Sequence, residues 1–306
     1  MESSPERSAF LHPARVAVLG AGLMGAQIGA EYALAGSRVA LVTQTSESST
    51  RALARAEGAL DALVAHGLAA HESVRAAKVN LSGTTDMMGS CTGADLIIES
   101  LPESLSEKTA TLRRAVEVAP DAIVASNTSS IPIADIGTGV GAASRTIGTH
   151  YWNPPTLMPL VEVIPSKLTD PAVTARVVGW LRAMGKEPVT VRDVIGFVHN
   201  RLQFALIHEA VRLVNEGVTD AETIDRIVER GLARRWQLVG PFTTMMLGGR
   251  PTFAAIARLL FEELERPVDP NSILGLALEG SSRPIEDVIR RRDAGLASAL
   301  RNDRRP

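Results

Sequence analysis

A single cysteine, Cys91, stands in 306 residues. No intrachain disulfide can form, nothing points to an oxidising compartment, and a cytoplasmic setting is the expectation. Lysine is nearly as scarce: Lys78, Lys108, Lys167 and Lys186 are the only four among 32 basic residues. Against 34 acidic residues the net charge is −2, and no block of like charge is long enough to track a nucleic-acid backbone or an anionic bilayer. Small-molecule chemistry is favoured over nucleic-acid or membrane binding. The longest uncharged apolar run, residues 16–30, is too short and too rich in glycine to span a membrane. The opening MESSPERSAF carries acids and no apolar targeting core, so an untargeted protein is expected. No His, Cys, Asp or Glu cluster has metal-ligand spacing, so no metal is expected.

What is present is a strong alternation of strand and helix patterns. At this length two domains are the natural expectation, since one domain usually takes ~100–200 residues. RVAVL (15–19) runs into Gly20, Gly22 and Gly25, an apolar helical pattern continues to Ala35, and SRVALVT (37–43) gives a second strand. Residues 47–78 read as a helical pair, and further strands are predicted at DLIIES (95–100), AIVAS (122–126), RTIGTH (145–150), LVEVI (160–164) and PVTV (188–191). This order predicts an α/β fold with a Rossmann-type, parallel, doubly wound sheet. After Asp193 the pattern turns helical, with Leu202, Leu206, Ala210 and Leu213 on one side of a helix and a capping box at Thr219 and Glu222 for the next. The predicted division is residues 1–193 for dinucleotide binding and catalysis and 194–306 for a smaller all-α domain.

The string VAVLGAGLMG carries the first chemistry. Gly20 permits a tight strand-to-helix turn, Gly22 lets a pyrophosphate approach the backbone, and Gly25 lets the helix pack on the sheet. Leu23 and Met24 open that helix, whose free N–H groups and dipole favour an anion. Flanked by strand, helix and second strand, this fingerprint predicts dinucleotide binding. The carboxylate that usually ends the second strand and bonds the adenosine ribose is replaced by Thr43, followed by Gln44. Without it the 2′-phosphate of NADP is not repelled, yet no arginine directly follows, so NAD leads and NADP stays open.

His150 heads HYWNPPTLMPLVEVI, with Asn153 three and Glu162 twelve residues further on. It ends a strand, and Ser129 lies just past another, where open α/β sheets place ligands. Hydride transfer from an alcohol requires loss of the hydroxyl proton, which an imidazole is suited to accept at neutral pH. Glu162 would hold one tautomer of that imidazole and stabilise the imidazolium.

GAGLMG, ESLPESLSEK, SNTSS, THYWNPP with LVEV, and GFVHNR, in this order over nearly the whole chain, resemble the 3-hydroxyacyl-CoA dehydrogenase superfamily. NRLQFALIHEAVRLVNEG followed by GPF is similar to its gulonate/λ-crystallin and carnitine branches, which act on free hydroxy acids. The resemblance implies His150 as general base with Glu162 as its partner. It implies Ser129 and Asn200 as ligands of the reacting oxygen or acyl carbonyl, Asn153 on the nicotinamide side, and Glu103 and Lys108 along the cofactor. It also implies a homodimer through the C-terminal domain and a small-molecule or acyl-thioester substrate. On the residues alone, Ser129 and Asn200 are equally caps, and Glu103 with Lys108 an exposed pair worth ~0–1 kcal/mol; His199 and His208 read as structural. Two departures bear on the substrate. The helical pair after the second strand has no lysine before Lys78 to meet CoA phosphates, and LEGSSRPIED (278–287) stands where a KTGxGFY segment is common.

Overall fold

The structure, a computed structural model, describes residues 12–264 and 284–303. The opening decapeptide and most of LEGSSRPIED lie outside the described residues. The chain forms two compact units, one of residues 1–198 and 289–306 and the other of residues 199–288.

The first unit is built on strands β1 (Arg15–Leu19), β2 (Arg38–Val42), β3 (Leu81–Thr84), β4 (Leu96–Glu99), β5 (Ile123–Ser126), β6 (Thr146–Tyr151), β7 (Leu160–Pro165) and β8 (Glu187–Thr190). They form an eight-stranded sheet ordered β3-β2-β1-β4-β5-β6-β7-β8. Its helices are α1 (Leu23–Leu34), α2 (Ser46–Ala65), α3 (His71–Val79), α4 (Met87–Cys91), α5 (Leu105–Val118), α6 (Ile133–Val140) and α7 (Pro171–Ala183). The alternation of β1 sorts it between two cores: Val16 and Val18 pack with Ile28, Leu41 and Leu60, whereas Ala17 and Leu19 pack with Ile97, Leu112 and Val124 on the other face. Each fully buried Ile or Leu contributes about 1.5–3 kcal/mol. Strand order reverses direction between β1 and β4, which puts a crevice at their carboxyl ends.

Two features differ from the sequence expectation. β3 was not anticipated, because LSGT holds one apolar residue and shows no alternation; parallel pairing with β2 makes it the sheet edge. The sheet is mixed rather than wholly parallel, since β7 runs antiparallel to β6. The compact units divide after Val198. Phe197 is fully buried in the first unit's core and the Val198 amide bonds Glu162, so the segment after β8 belongs to the first unit.

The second unit contains α8 (His199–Asn215), α9 (Ala221–Ile227), a π-helical turn (Val228–Leu232), α10 (Ala233–Trp236), α11 (Pro241–Gly248) and α12 (Arg250–Leu264). The cap of α9 is Asp220, which accepts the Thr223 amide at 2.7 Å, in place of the predicted Thr219. Asp220 outcompetes its neighbour because its carboxylate is the stronger acceptor for the first-turn amides. The last helix, α13 (Ile285–Asp303), rejoins the first unit from Ile289 onward, where Ala297 and Leu300 are buried and Arg301 donates to the His66 carbonyl.

Candidate active site

The turn between β1 and α1 is shaped to receive a diphosphate. Gly20 adopts φ +88°, and a β-carbon there would lie 2.5 Å from the Ser100 carbonyl oxygen, so no other residue fits without displacing β4's end. A β-carbon on Gly22 would meet nothing within 4 Å. The close approach that Gly22 permits is therefore from outside the protein. No side chain caps α1, which leaves the first-turn amides at Leu23, Met24 and Gly25 to an anion. These residues fit a dinucleotide. At the end of β2, the Thr43 amide donates to the Thr84 carbonyl and its hydroxyl to the Thr45 carbonyl at 3.2 Å; Gln44 is exposed.

The antiparallel β6–β7 pair sets His150 directly opposite Glu162 in register. Cross-strand neighbours point to the same face with β-carbons about 4.5–5.5 Å apart, so the twelve-residue spacing becomes a contact. His150 Nδ1 lies 2.8 Å from Glu162 Oε2, and both side chains are at most 5% exposed. A carboxylate only accepts, so Nδ1 is the donor, and the neutral tautomer compatible with this contact has its lone pair on Nε2. The other carboxylate oxygen, Oε1, accepts the Val198 amide at 3.1 Å. The Phe197 ring stands against the imidazole, centroid to centroid 5.6 Å at 55°.

Beside this pair, carboxylates organise the carboxyl ends of β4 and β5. Buried Glu99 accepts the Ser126 hydroxyl on Oε2, and on Oε1 the Leu101 amide at 2.6 Å and Lys108 Nζ at 2.7 Å. Lys108 also bonds the Leu101 carbonyl and lies 3.2 Å from Glu103 Oε2. Glu103 Oε1 gathers the Thr128 hydroxyl, the Ser129 amide at 3.0 Å, and the Ser130 amide and hydroxyl at 2.9 Å each. Partial burial pushes the Glu103 carboxyl up. The Thr128 hydroxyl, the Lys108 charge and the Ser130 hydroxyl outweigh it and hold the group at about 2. Lys108 is only 1% exposed, so the reading of Glu103 and Lys108 as an exposed pair is corrected: the ammonium is enclosed between two carboxylates.

The structure thus brings His150 to Glu162, and Glu103 to the backbone of Ser129. Asn153 is exposed in the β6–β7 loop, and Asn200 lies in the first turn of α8 in the second unit. Sequence reasoning missed Glu99, Asn127, Phe197 and Val198. Asn127 accepts the Tyr151 amide at 3.0 Å and so fixes the strand end next to His150. The strings ESLPESLSEK, SNTSS and GFVHNR contain Glu99, Asn127, and Phe197 with Val198, and these strings were the signal for them.

The sequence matches the profile described as the 3-hydroxyacyl-CoA dehydrogenase NAD binding domain over residues 15–194, and that of the same enzyme's C-terminal domain over residues 196–278. It is 35% identical over 261 residues to the 5-formyl-3-hydroxy-2-methylpyridine 4-carboxylate 5-dehydrogenase of Mesorhizobium japonicum, covering 83% of this chain and 82% of the relative. It is 31% identical to the L-carnitine dehydrogenase of Streptomyces coelicolor, covering 94% of each. Among solved structures it resembles a 5-formyl-3-hydroxy-2-methylpyridine 4-carboxylic acid 5-dehydrogenase described as an NAD+-dependent dismutase. That match has a TM-score of 0.85 and 29% identity, over 96% of this chain and 99% of the other.

Proposed function

The chain belongs to the 3-hydroxyacyl-CoA dehydrogenase family, and from that premise we propose that it interconverts a 3-hydroxyacyl and a 3-oxoacyl compound with His150 as general base. The observation that carries this reading is the buried 2.8 Å contact between His150 Nδ1 and Glu162. Bound NAD supplies the hydride acceptor. In the oxidative direction the substrate hydroxyl passes its proton to Nε2 while the carbinol hydrogen departs as hydride. The imidazolium formed is stabilised by Glu162, whose charge is held in place by the Val198 amide. In the reductive direction the imidazolium returns the proton to the oxygen.

Ser129 and Asn200 are assigned to the reacting oxygen or acyl carbonyl, and Asn153 to the nicotinamide side. Glu103 keeps its place along the cofactor, and Lys108 acts one layer behind it by fixing Glu99 and Glu103. The reading extends to a cytoplasmic homodimer joined through the second unit, where Phe242, Leu247, Leu259 and Phe261 are exposed.

A second reading, a free small hydroxy acid or a carrier-bound acyl group as substrate, has one specific support. Lys78, the one lysine of the α2–α3 pair, is taken up by Asp61 at 2.7 Å. The test is oxidation of NADH and NADPH with acetoacetyl-CoA beside acetoacetate, repeated with His150→Ala. Saturable turnover of acetoacetyl-CoA that falls about 10²–10⁴-fold in the variant is expected. Turnover of acetoacetate alone selects the second reading, and undiminished turnover in the variant removes His150 from the role of base. NADH binding without turnover of either compound leaves a nucleotide-binding protein.

A further inference from the structure

The segment that follows β8, VRDVIGFV (191–198), leaves the sheet after Val191, whose amide still donates to the Val163 carbonyl at 3.0 Å, and touches the site at several points. Asp193 accepts the amides of Ile133 and Ala134 at 2.9 Å each, which anchors the start of α6 just downstream of Ser129. Phe197 is the one non-glycine residue with positive φ, +50°, among the described residues, and it follows Gly196 at +73°. In the left-handed region a β-carbon crowds the next carbonyl, so a bulky residue stays there only where its surroundings over-determine it. Here they do: the Phe197 amide closes a turn onto the Val194 carbonyl at 3.0 Å, and its side chain is completely buried while Val194, Ile195 and Val198 are exposed.

The unusual backbone serves two contacts at once. It turns the ring inward against the His150 imidazole, 5.6 Å between centroids. It also aims the next amide, that of Val198, at Glu162 Oε1, the oxygen that does not face His150 Nδ1. A residue needed only to fill the core would reach it from an ordinary backbone, as Leu112 and Ile133 do.

We infer that Phe197 is a positioning residue for the catalytic pair: its left-handed turn fixes the imidazole plane of His150 and, through the Val198 amide, the rotation of the Glu162 carboxylate. The inference rests on the reading of His150 as base. The mechanical consequence is definite. With Oε1 held by Val198 and one side of the imidazole walled by Phe197, the Nδ1–H stays directed at Oε2 and Nε2 keeps a constant direction.

The test combines turnover with a measurement that needs no substrate. Phe197→Gly retains the left-handed backbone and removes the ring; Phe197→Leu retains apolar volume without a planar face. In each, exchange of the His150 Nδ1 proton with water is followed by NMR, the resonance being assigned by its loss in His150→Gln. Phe197→Gly is expected to speed that exchange about tenfold or more. It is also expected to lower kcat for acetoacetyl-CoA reduction about tenfold or more while KM for NADH changes less than about twofold. Phe197→Leu is expected to fall between wild type and Phe197→Gly. Unchanged exchange in folded Phe197→Gly overturns the inference. If circular dichroism shows that variant unfolded, unchanged exchange in Phe197→Leu overturns it instead. Absence of wild-type turnover with acetoacetyl-CoA counts against the proposed reaction, whereas proton exchange still decides the positioning role.

Discussion

Gly20 and Gly22 are two residues apart and do different work, which makes them separable by mutation. Gly20 is required by the fold, since φ is +88° and a β-carbon would sit 2.5 Å from the Ser100 carbonyl oxygen. Gly22 has φ −72°, which alanine tolerates, and open space where its β-carbon would be. Gly22→Ala is therefore expected to leave the melting temperature of the free protein within about 2 °C of wild type, as surface substitutions do. It is expected to weaken NADH binding about tenfold or more, because the added methyl occupies the approach of the diphosphate. Gly20→Ala is expected to destabilise the free protein and so lower its melting temperature, since a strained φ and a backbone clash together cost roughly 2–5 kcal/mol. Equal effects of both changes on the free protein, measured by thermal unfolding and by fluorescence titration with NADH, would contradict this division. The glycines were legible because diphosphate binding dictates their spacing, and His150 with Glu162 because they stand in the THYWNPP and LVEV motifs. Glu99 was not, since a carboxylate in DLIIES reads as any strand-end polar group until Lys108 and Ser126 are seen to converge on it.

At the scale of elements, the loop between β5 and α6 has a carboxylate at each end: Glu103 gathers residues 128–130 and Asp193 holds 133 and 134. The Glu103 end is pH-dependent. Its carboxyl lies at about 2 against an ordinary 4.5. The ionised form thus contributes stability that is complete above about 4.5 and is lost as pH falls towards 2. The side chain is 39% exposed, so solvent screening reduces that contribution to about 1 kcal/mol. Denaturant unfolding of wild type and Glu103→Gln is expected to differ by about that amount at pH 6 and to converge progressively as pH falls from about 4.5 towards 2. A difference that persists unchanged at pH 3 would show that the clamp does not depend on charge. The antiparallel turn of β7 was the element-scale fact that sequence did not show. Alternation in LVEVI establishes a strand but not its direction, and direction is what converts a spacing of twelve into a hydrogen bond. Edge strand β3 escaped for the opposite reason, since four mostly polar residues held by β2 need no pattern of their own.

Across the whole molecule, the change from strands to helices was readable near Asp193, and the first compact unit runs on to Val198. Contacts rather than composition decide it: Phe197 packs under the sheet, and the terminal helix α13 returns Ala297 and Leu300 to the first unit's core. The second unit has the opposite character. Leu259 and Phe261 on α12, with Phe242 and Leu247 on α11, project their apolar side chains into solvent. So many large apolar groups in one small helical unit exceed what a lone soluble chain usually leaves uncovered. A stable homodimer needs about 800 Å² from each partner. On that reasoning light scattering at micromolar concentration is expected to give the mass of two chains, and Leu259→Glu with Phe261→Glu the mass of one. NADH binding is expected to survive in the monomeric variant, because the nucleotide turn at Gly20 and Gly22 is built within the first unit. A monomeric wild type would remove the dimer from the proposed function. A dimer indifferent to both glutamates would place the contact elsewhere than α12.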